Sequence, residues 1–179
     1  MYLVLLETSG NQNFIFSTNK LRENIGASEL TYRAGTQWVM DAVAEITNNN
    51  RTFNSSEDLR AALLDSTFNR WIDRSDDVRV EVIIATSGKA LILVKNKELG
   101  QQIISTVTKK ALTDAPGLDI CDVISDRFDW EIDGKVDRMN KQLHQQFESV
   151  RARRPSPDTR FLRLPVVGEC STRDRKSTV

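Results

Sequence analysis

The 179-residue sequence contains one histidine and two cysteines, which limits the chemistry that its side chains can perform. Cys121 and Cys170 lack the close spacing of a metal-binding pair. A single pair of cysteines is also not a disulfide framework, so a reducing cytoplasm is the expected location. A histidine-based catalytic triad has only His144 as a candidate. That residue lies among polar neighbours on a predicted helix, where we expect a solvated side chain.

Long apolar runs and net charge are also absent. No apolar stretch approaches the roughly 18 residues that a membrane-spanning helix needs. The apolar residues 2–7 follow no basic segment and precede no small-residue cleavage site, so they predict a first strand and not a signal peptide. A formal net charge of +0 gives no global attraction to nucleic acid or to a membrane.

The charges are unevenly distributed along the chain. Residues 114–133 contain seven acids and one base, whereas residues 151–179 contain eight bases and three acids. Such runs are usually solvated faces or tails. The C-terminal part also has three of the four prolines. We therefore predict that residues 154–179 form a loosely attached tail, because they bury too little apolar surface to offset the entropy lost on ordering.

Residue patterns predict both strands and helices. Short apolar runs and alternation predict strands at residues 2–7, 78–86, 91–95 and 118–124. One helix is predicted after Ser9, whose spacing to Gln12 fits a capping box, and a second is predicted to be capped by Ser28. Further helices are predicted at residues 57–72, after a cap at Asn96, and at residues 134–153. This order predicts an α+β, ferredoxin-like fold, in which an antiparallel sheet has helices on one face and an extra C-terminal helix follows.

The segment between the two middle strands, Ser87-Gly88-Lys89, has the composition of a phosphate-binding loop. A Walker-type loop needs a first glycine where the chain has Ile83, a hydroxyl residue where it has Ala90, and a helix directly afterwards. The chain therefore has a hairpin at this point and not a Walker loop. Gly88 is expected to supply the positive φ that a tight turn requires.

The segment after the first strand, residues 9–30, reads SGNQNFIFSTNKLRENIGASEL. It resembles the polymerase-like large subunit of type III CRISPR effector complexes. In the palm domains of that family, a first strand precedes Gly-x-Gln-x-Phe-Ile and then Leu-Arg-x-x-x-Gly-x-Ser. The matching residues are Gly10, Gln12, Phe14, Ile15, Leu21, Arg22, Gly26 and Ser28. The stretch RFLRLPVV, which precedes Cys170, is similar to the same group.

The resemblance implies a nucleotidyl-cyclase-like palm domain at residues 1–132, a C-terminal helix at residues 133–153 and a tail that could begin a further domain. In catalytic palms, a Gly-Gly-Asp-Asp-type hairpin and an acid ending the first strand hold two divalent metals, and cyclic oligoadenylates are made as antiviral signals. Here the hairpin reads Ser87-Gly88-Lys89-Ala90, and Glu7 is the one carboxylate left as a weak candidate metal ligand. One carboxylate does not make a two-metal site, so we expect no activity from the chain alone.

The family also contains palms that lack the acidic hairpin and help to hold nucleotide. By this resemblance, ATP is expected to bind without metal to Ser9, Asn11, Ser28, Ser87, Gly88 and Lys89. The expected partners are a second, active palm or other effector-complex subunits, with RNA reached through the complex. Two alternatives stay open: an active cyclase with an unrecognised ligand set, and a protein- or RNA-interaction module that binds no nucleotide.

Overall fold

The computed structural model describes residues 1–49, 51–129 and 135–155. The elements in chain order are β1 (Tyr2–Ser9), α1 (Asn11–Ile15), α2 (Leu21–Gly35), α3 (Gln37–Ile46), α4 (Ser56–Leu64), β2 (Val80–Thr86), β3 (Lys89–Val94), α5 (Lys97–Asp114), β4 (Asp119–Ile124) and α6 (Lys135–Arg153). The predicted tail begins at Arg154, and all of it after Pro155 lies outside the described residues.

The strands form an antiparallel sheet in the order β2-β3-β1-β4. β1 lies inside the sheet, with Glu7 opposite Lys89 on β3 and opposite Cys121 on β4. This order is consistent with a ferredoxin-like arrangement, in which two strand-helix-strand units interleave. The predicted α+β class, the antiparallel sheet and the central hairpin are therefore confirmed.

The first face of the sheet packs against α2, α3 and α5. Val4 and Leu6 of β1 lie there because alternate residues of a strand share a face. The helices contribute apolar side chains to the same core, among them Trp38, Val39, Met40, Ile103 and Val107. α5 approaches β1 closely because Gly100 has no side chain. A β-carbon at this position would lie 2.8 Å from Cγ2 of Val4.

The second face of the sheet is covered by α6. Leu3 and Leu5 of β1 and Leu93 of β3 are buried there beside Leu143 and Phe147 of α6. The expectation of helices on one face therefore holds for α2, α3 and α5, while the C-terminal helix lies on the opposite face. α6 can pack there because both faces of the central strands are apolar.

Side chains form hydrogen bonds with backbone groups of both edge strands, β2 and β4. On β2, the Asn69 amide donates to the carbonyl of Val82 at 2.8 Å and accepts from the Val82 N–H at 2.8 Å. A bulge follows between Val82 and Ile84. On β4, the guanidinium of Arg154 donates to the carbonyl of Ile120. These contacts blunt two edges that would otherwise invite pairing with another strand.

Two predicted helix caps are wrong. Ser9 does not cap α1, because Gly10 is the N-cap residue, with φ of 66°, and no side chain caps the helix. Ser28 lies inside α2, which runs without interruption from Leu21 to Gly35. The break comes at Thr36, whose hydroxyl donates to the carbonyl of Tyr32 at 2.7 Å. The predicted Asn96 cap is confirmed, since its side chain accepts the Leu99 N–H at 2.9 Å.

The predicted helix at residues 57–72 is also wrong beyond Leu64, where α4 ends. Asp65 accepts hydrogen bonds from the backbone and hydroxyl of Thr67, at 2.9 and 2.7 Å. Asp65 can make such local bonds in a turn and thereby compete with the helix. The Asn69 contact to β2 then fixes the chain in a non-helical path.

Candidate functional site

The hairpin between β2 and β3 turns through Ser87 and Gly88 alone. Gly88 has φ of +74°, as a two-residue turn requires, so its predicted role is confirmed. Lys89 is not a tip residue, because it is the first residue of β3 and lies opposite both Glu7 and Thr86. Only Ser87 is exposed at the tip, while Gly88 is buried.

Helix α2 lies directly against this turn. A β-carbon at Gly35 would stand 2.5 Å from the carbonyl carbon of Gly88 and 2.6 Å from the carbonyl oxygen of Thr86. One turn earlier on α2, Thr31 faces Gly88, and Thr8 of β1 donates its N–H to the Gly88 carbonyl at 2.7 Å. The side of the turn that faces α2 is therefore filled by protein.

The side chain of Lys89 lies on the other face, beneath α6. Its Nζ is 3.5 Å from Oε2 of Glu7 and 3.2 Å from Nε2 of His144. Nδ1 of His144 is 2.9 Å from the carbonyl oxygen of Asn140. Because a carbonyl oxygen only accepts, Nδ1 carries the proton, and Nε2 of the neutral ring accepts from the Lys89 ammonium.

This polar cluster joins β1, β3 and α6. Lys89 and Glu7 have side chains 32% and 29% exposed, so their pair lies at the boundary between core and solvent. His144 was expected to be solvated, but it is half-buried and bonded through both ring nitrogens. The helical spacing of apolar residues could have shown that His144 is half-buried. His144 follows buried Leu143 and lies three residues before buried Phe147 on the inner side of α6.

The cluster does not fit the two-metal site that the resemblance implies. Glu7 is the carboxylate expected to meet the metal, and the ammonium of Lys89 already faces it. A fixed cation beside the carboxylate repels a divalent ion, and two bridging metals require several oxygen ligands. Within the described ranges, no three His, Cys, Asp or Glu residues are grouped so that they could hold a metal.

The structure divides the expected nucleotide-binding residues between the two faces. Glu7, Ser9 and Lys89 share the face that α6 covers, because Ser9 follows Glu7 by two residues on β1. Ser28 lies on the opposite side, one turn before Thr31 on α2, and is exposed. Asn11 begins α1. These residues surround one end of the sheet but do not line a common wall.

Two polar atoms near this end are buried without a hydrogen-bond partner among the described residues. They are Oγ1 of Thr8, which lies against Gly88, and Oδ1 of Asn11. A buried polar atom without a partner costs about 1–3 kcal/mol. The end of β1 therefore has unused hydrogen-bonding capacity on the side where Asn11 was expected to contact a ligand.

A second charged cluster holds the end of α6 at the outer edge of β4. Nη1 of Arg154 is 3.3 Å from Oδ1 of Asp119 and also bonds the carbonyl of Ile120. Burial raises the pKa of Asp122, and the nearby Arg154 opposes that shift. Burial likewise raises the pKa of the Cys121 thiol, which therefore stays protonated and unreactive.

Comparison with known proteins gives no assignment. No protein-family description matches the chain, and no curated protein matches its sequence. Within the described part of the chain, no helix has both the length and the apolar character needed to cross a membrane.

Proposed function

We propose that the chain is a catalytically silent palm-like domain that acts in cytoplasmic antiviral defence beside an active, cyclic-oligoadenylate-forming palm. In this role it binds ATP or serves as a scaffold for that partner. One observation carries the proposal: the position where the resemblance places metal-binding acids is occupied by Lys89, which neutralises Glu7 at 3.5 Å.

Three further features support a palm-like domain. The sheet has the order β2-β3-β1-β4, with a short hairpin beside the inner strand β1. Residues 9–30, the segment that resembles the family, form the end of β1, all of α1 and most of α2. Gly35, five residues beyond that segment, lets α2 pack on the hairpin turn. The segment and the hairpin are thus parts of one structural unit.

In this proposal Lys89 binds a phosphate by exchanging its contacts with Glu7 and His144 for phosphate oxygens. An ammonium can neutralise phosphate charge as a metal does. It does not activate an attacking hydroxyl in the way that a metal ion does, so binding without turnover is expected. His144 stays near the exchanged phosphate as a hydrogen-bonding side chain.

A protein-interaction module without nucleotide binding is the second candidate. Phe16, Leu21 and Ile25 are exposed by 57%, 74% and 61% of their surfaces, and all three belong to the segment of the resemblance. Exposed apolar side chains in one short segment are typical of a contact surface. If the chain is such an interaction module, residues 9–30 resemble the family because they contact a partner, and Lys89 has only a structural role.

Thermal unfolding with ATP, in the presence and absence of Mg²⁺, distinguishes the two candidates. The silent palm predicts a rise in melting temperature with ATP that does not require metal and is lost in Lys89→Gln. Glutamine keeps a polar side chain with hydrogen-bond donors, is one atom shorter than lysine and carries no charge. If ATP leaves the melting temperature of the native sequence unchanged, nucleotide binding is wrong and the interaction module is favoured.

A further inference from the structure

A cleft of about 360 Å³ opens between the end of α2 and the start of α4, away from the α6 face that holds Lys89. Its walls are Glu29, Tyr32 and Arg33 of α2, Gln37 of α3, residues 53–55 of the preceding loop, and Ser56, Leu59 and Arg60 of α4. This volume lies in the range of about 300–1,000 Å³ that is typical of small-molecule sites.

Several hydrogen-bond donors in this cleft are unused. The side chain of Arg60 makes no hydrogen bond or ion pair with another described residue. Arg33 donates through Nε to Glu29 at 2.8 Å, which leaves its two terminal nitrogens available. Tyr32 and Ser56, whose side chains carry hydroxyl groups, also belong to the lining. Residues of α2 and α4 that carry hydrogen-bond donors therefore line one cleft.

The charges of the lining favour an anion. Arg33 and Arg60 supply two positive charges, and Glu29 supplies one negative charge that is already paired with Arg33. The neighbouring carboxylate of Asp58, which is not part of the lining, accepts the N–H of Asn54 at 3.2 Å. Guanidinium groups match the oxygens of phosphate and carboxylate with paired hydrogen bonds.

Two buried apolar residues contribute to the lining. Phe53 and Leu59 are buried, with exposures of 4% and 5%, and each contributes to the lining. Tyr32 forms part of the α2 wall. Gln37 fixes the loop by donating to the Phe53 carbonyl at 3.2 Å, and its side-chain oxygen is left to accept. A flat apolar ring attached to an anionic group matches these walls.

From these contacts we infer that the cleft binds a small phosphate ester of an aromatic or nucleoside type, of about nucleoside monophosphate size. The phosphate lies between Arg33 and Arg60, where three terminal oxygens can accept from both guanidinium groups and from Ser56. The ring lies against Tyr32 and above Phe53. The inference is independent of the proposed function, because the cleft shares no residue with the Glu7–Lys89–His144 cluster.

Isothermal titration with AMP, ribose 5-phosphate and inorganic phosphate tests the inference on the full chain. AMP is expected to bind with an affinity of about 1 mM or tighter, and at least tenfold more tightly than inorganic phosphate. Ribose 5-phosphate is expected to fall between them. Equal affinity for AMP and inorganic phosphate, or no affinity for AMP at about 1 mM, overturns the inference.

Charge variants locate the binding. Arg60→Ala is expected to weaken AMP binding at least tenfold, whereas Arg22→Ala removes an exposed arginine from outside the cleft and is expected to have no effect. Since Arg60 is exposed and unbonded, its variant should keep the native melting temperature. Loss of AMP binding in Arg22→Ala, or its retention in Arg60→Ala, overturns the assignment.

Discussion

Glu7 and Lys89 lie opposite each other on β1 and β3, and Nζ of Lys89 is 3.5 Å from Oε2 of Glu7. This pair stands where the resemblance places the metal-binding centre of an active palm. The opposite charges of the two side chains compensate each other, and Lys89 also joins the strands to α6 through its contact with His144.

Lys89→Glu is expected to destabilise the protein by about 1 kcal/mol, because like charges directly opposite on neighbouring strands repel and His144 loses its donor. Glu7→Lys alone is expected to have a similar effect. The double variant, Glu7→Lys with Lys89→Glu, restores opposite charges and should recover most of the lost stability. Urea unfolding of the four proteins gives the coupling energy. A coupling energy of zero would show that the pair does not interact.

Two glycines of α2 make a matched test of how the helix meets the hairpin. Gly35→Ala is expected to destabilise the protein by more than about 1 kcal/mol, since its β-carbon would overlap the backbone of Gly88 and Thr86. Gly26→Ala lies in the same helix with no atom within 4 Å of the new carbon. It is expected to stabilise by about 0.5–1 kcal/mol through helix propensity. Thermal unfolding measures both, and equal effects would contradict the packing described.

α6 is expected to unfold together with the sheet. Phe147→Ala removes a side chain that is 2% exposed and is expected to cost about 3–5 kcal/mol. Val150→Ala, on the same helix but 38% exposed, is the matched control and should cost far less. Circular dichroism and tryptophan fluorescence should report one common transition for each variant. A separate early transition of the helix signal in Phe147→Ala would mean that α6 is a distinct unit.

Asp122 gives a pH-dependent prediction. Burial raises its pKa in the folded protein, so the folded state binds the proton more tightly than the unfolded state does. Stability therefore falls as pH rises from the unfolded pKa, about 3.9, through the raised folded value. Asp122→Asn should be more stable than the native sequence at pH 7, with the difference shrinking in acid. A difference that is constant across pH, measured by urea unfolding, would contradict this assignment.

The sequence predicts the sheet well because each strand carries a local signal. The alternation in residues 78–82 and the apolar run in residues 91–94 identify the hairpin, and Gly88 identifies its turn. The Asn96 cap was predicted correctly for the same reason, because Asn96 and Leu99, which it bonds, are only three residues apart in the sequence. Local chemistry is what a single sequence displays most clearly.

Several of the errors involve contacts between residues that are far apart in the sequence. Ser28 resembles a cap in sequence, yet α2 continues through it because Thr31, Ala34 and Gly35 pack on the sheet and hairpin. The periodic pattern after α4 fails because Asn69 bonds β2, thirteen residues further along. His144 is 55 residues from Lys89, and no local pattern could have paired them. The candidate site is thus less predictable than the fold around it.

We propose that this chain binds nucleotide through a palm-like site that lacks the catalytic acids of an active palm. The most direct measurement incubates the protein with ATP and Mn²⁺, determines bound nucleotide by equilibrium dialysis, and identifies all nucleotides by mass spectrometry. We expect that ATP is bound, that Lys89→Gln weakens this binding, and that ATP is recovered intact. Linear or cyclic adenylate products would contradict the loss of catalysis, and an absence of bound ATP would contradict the nucleotide site.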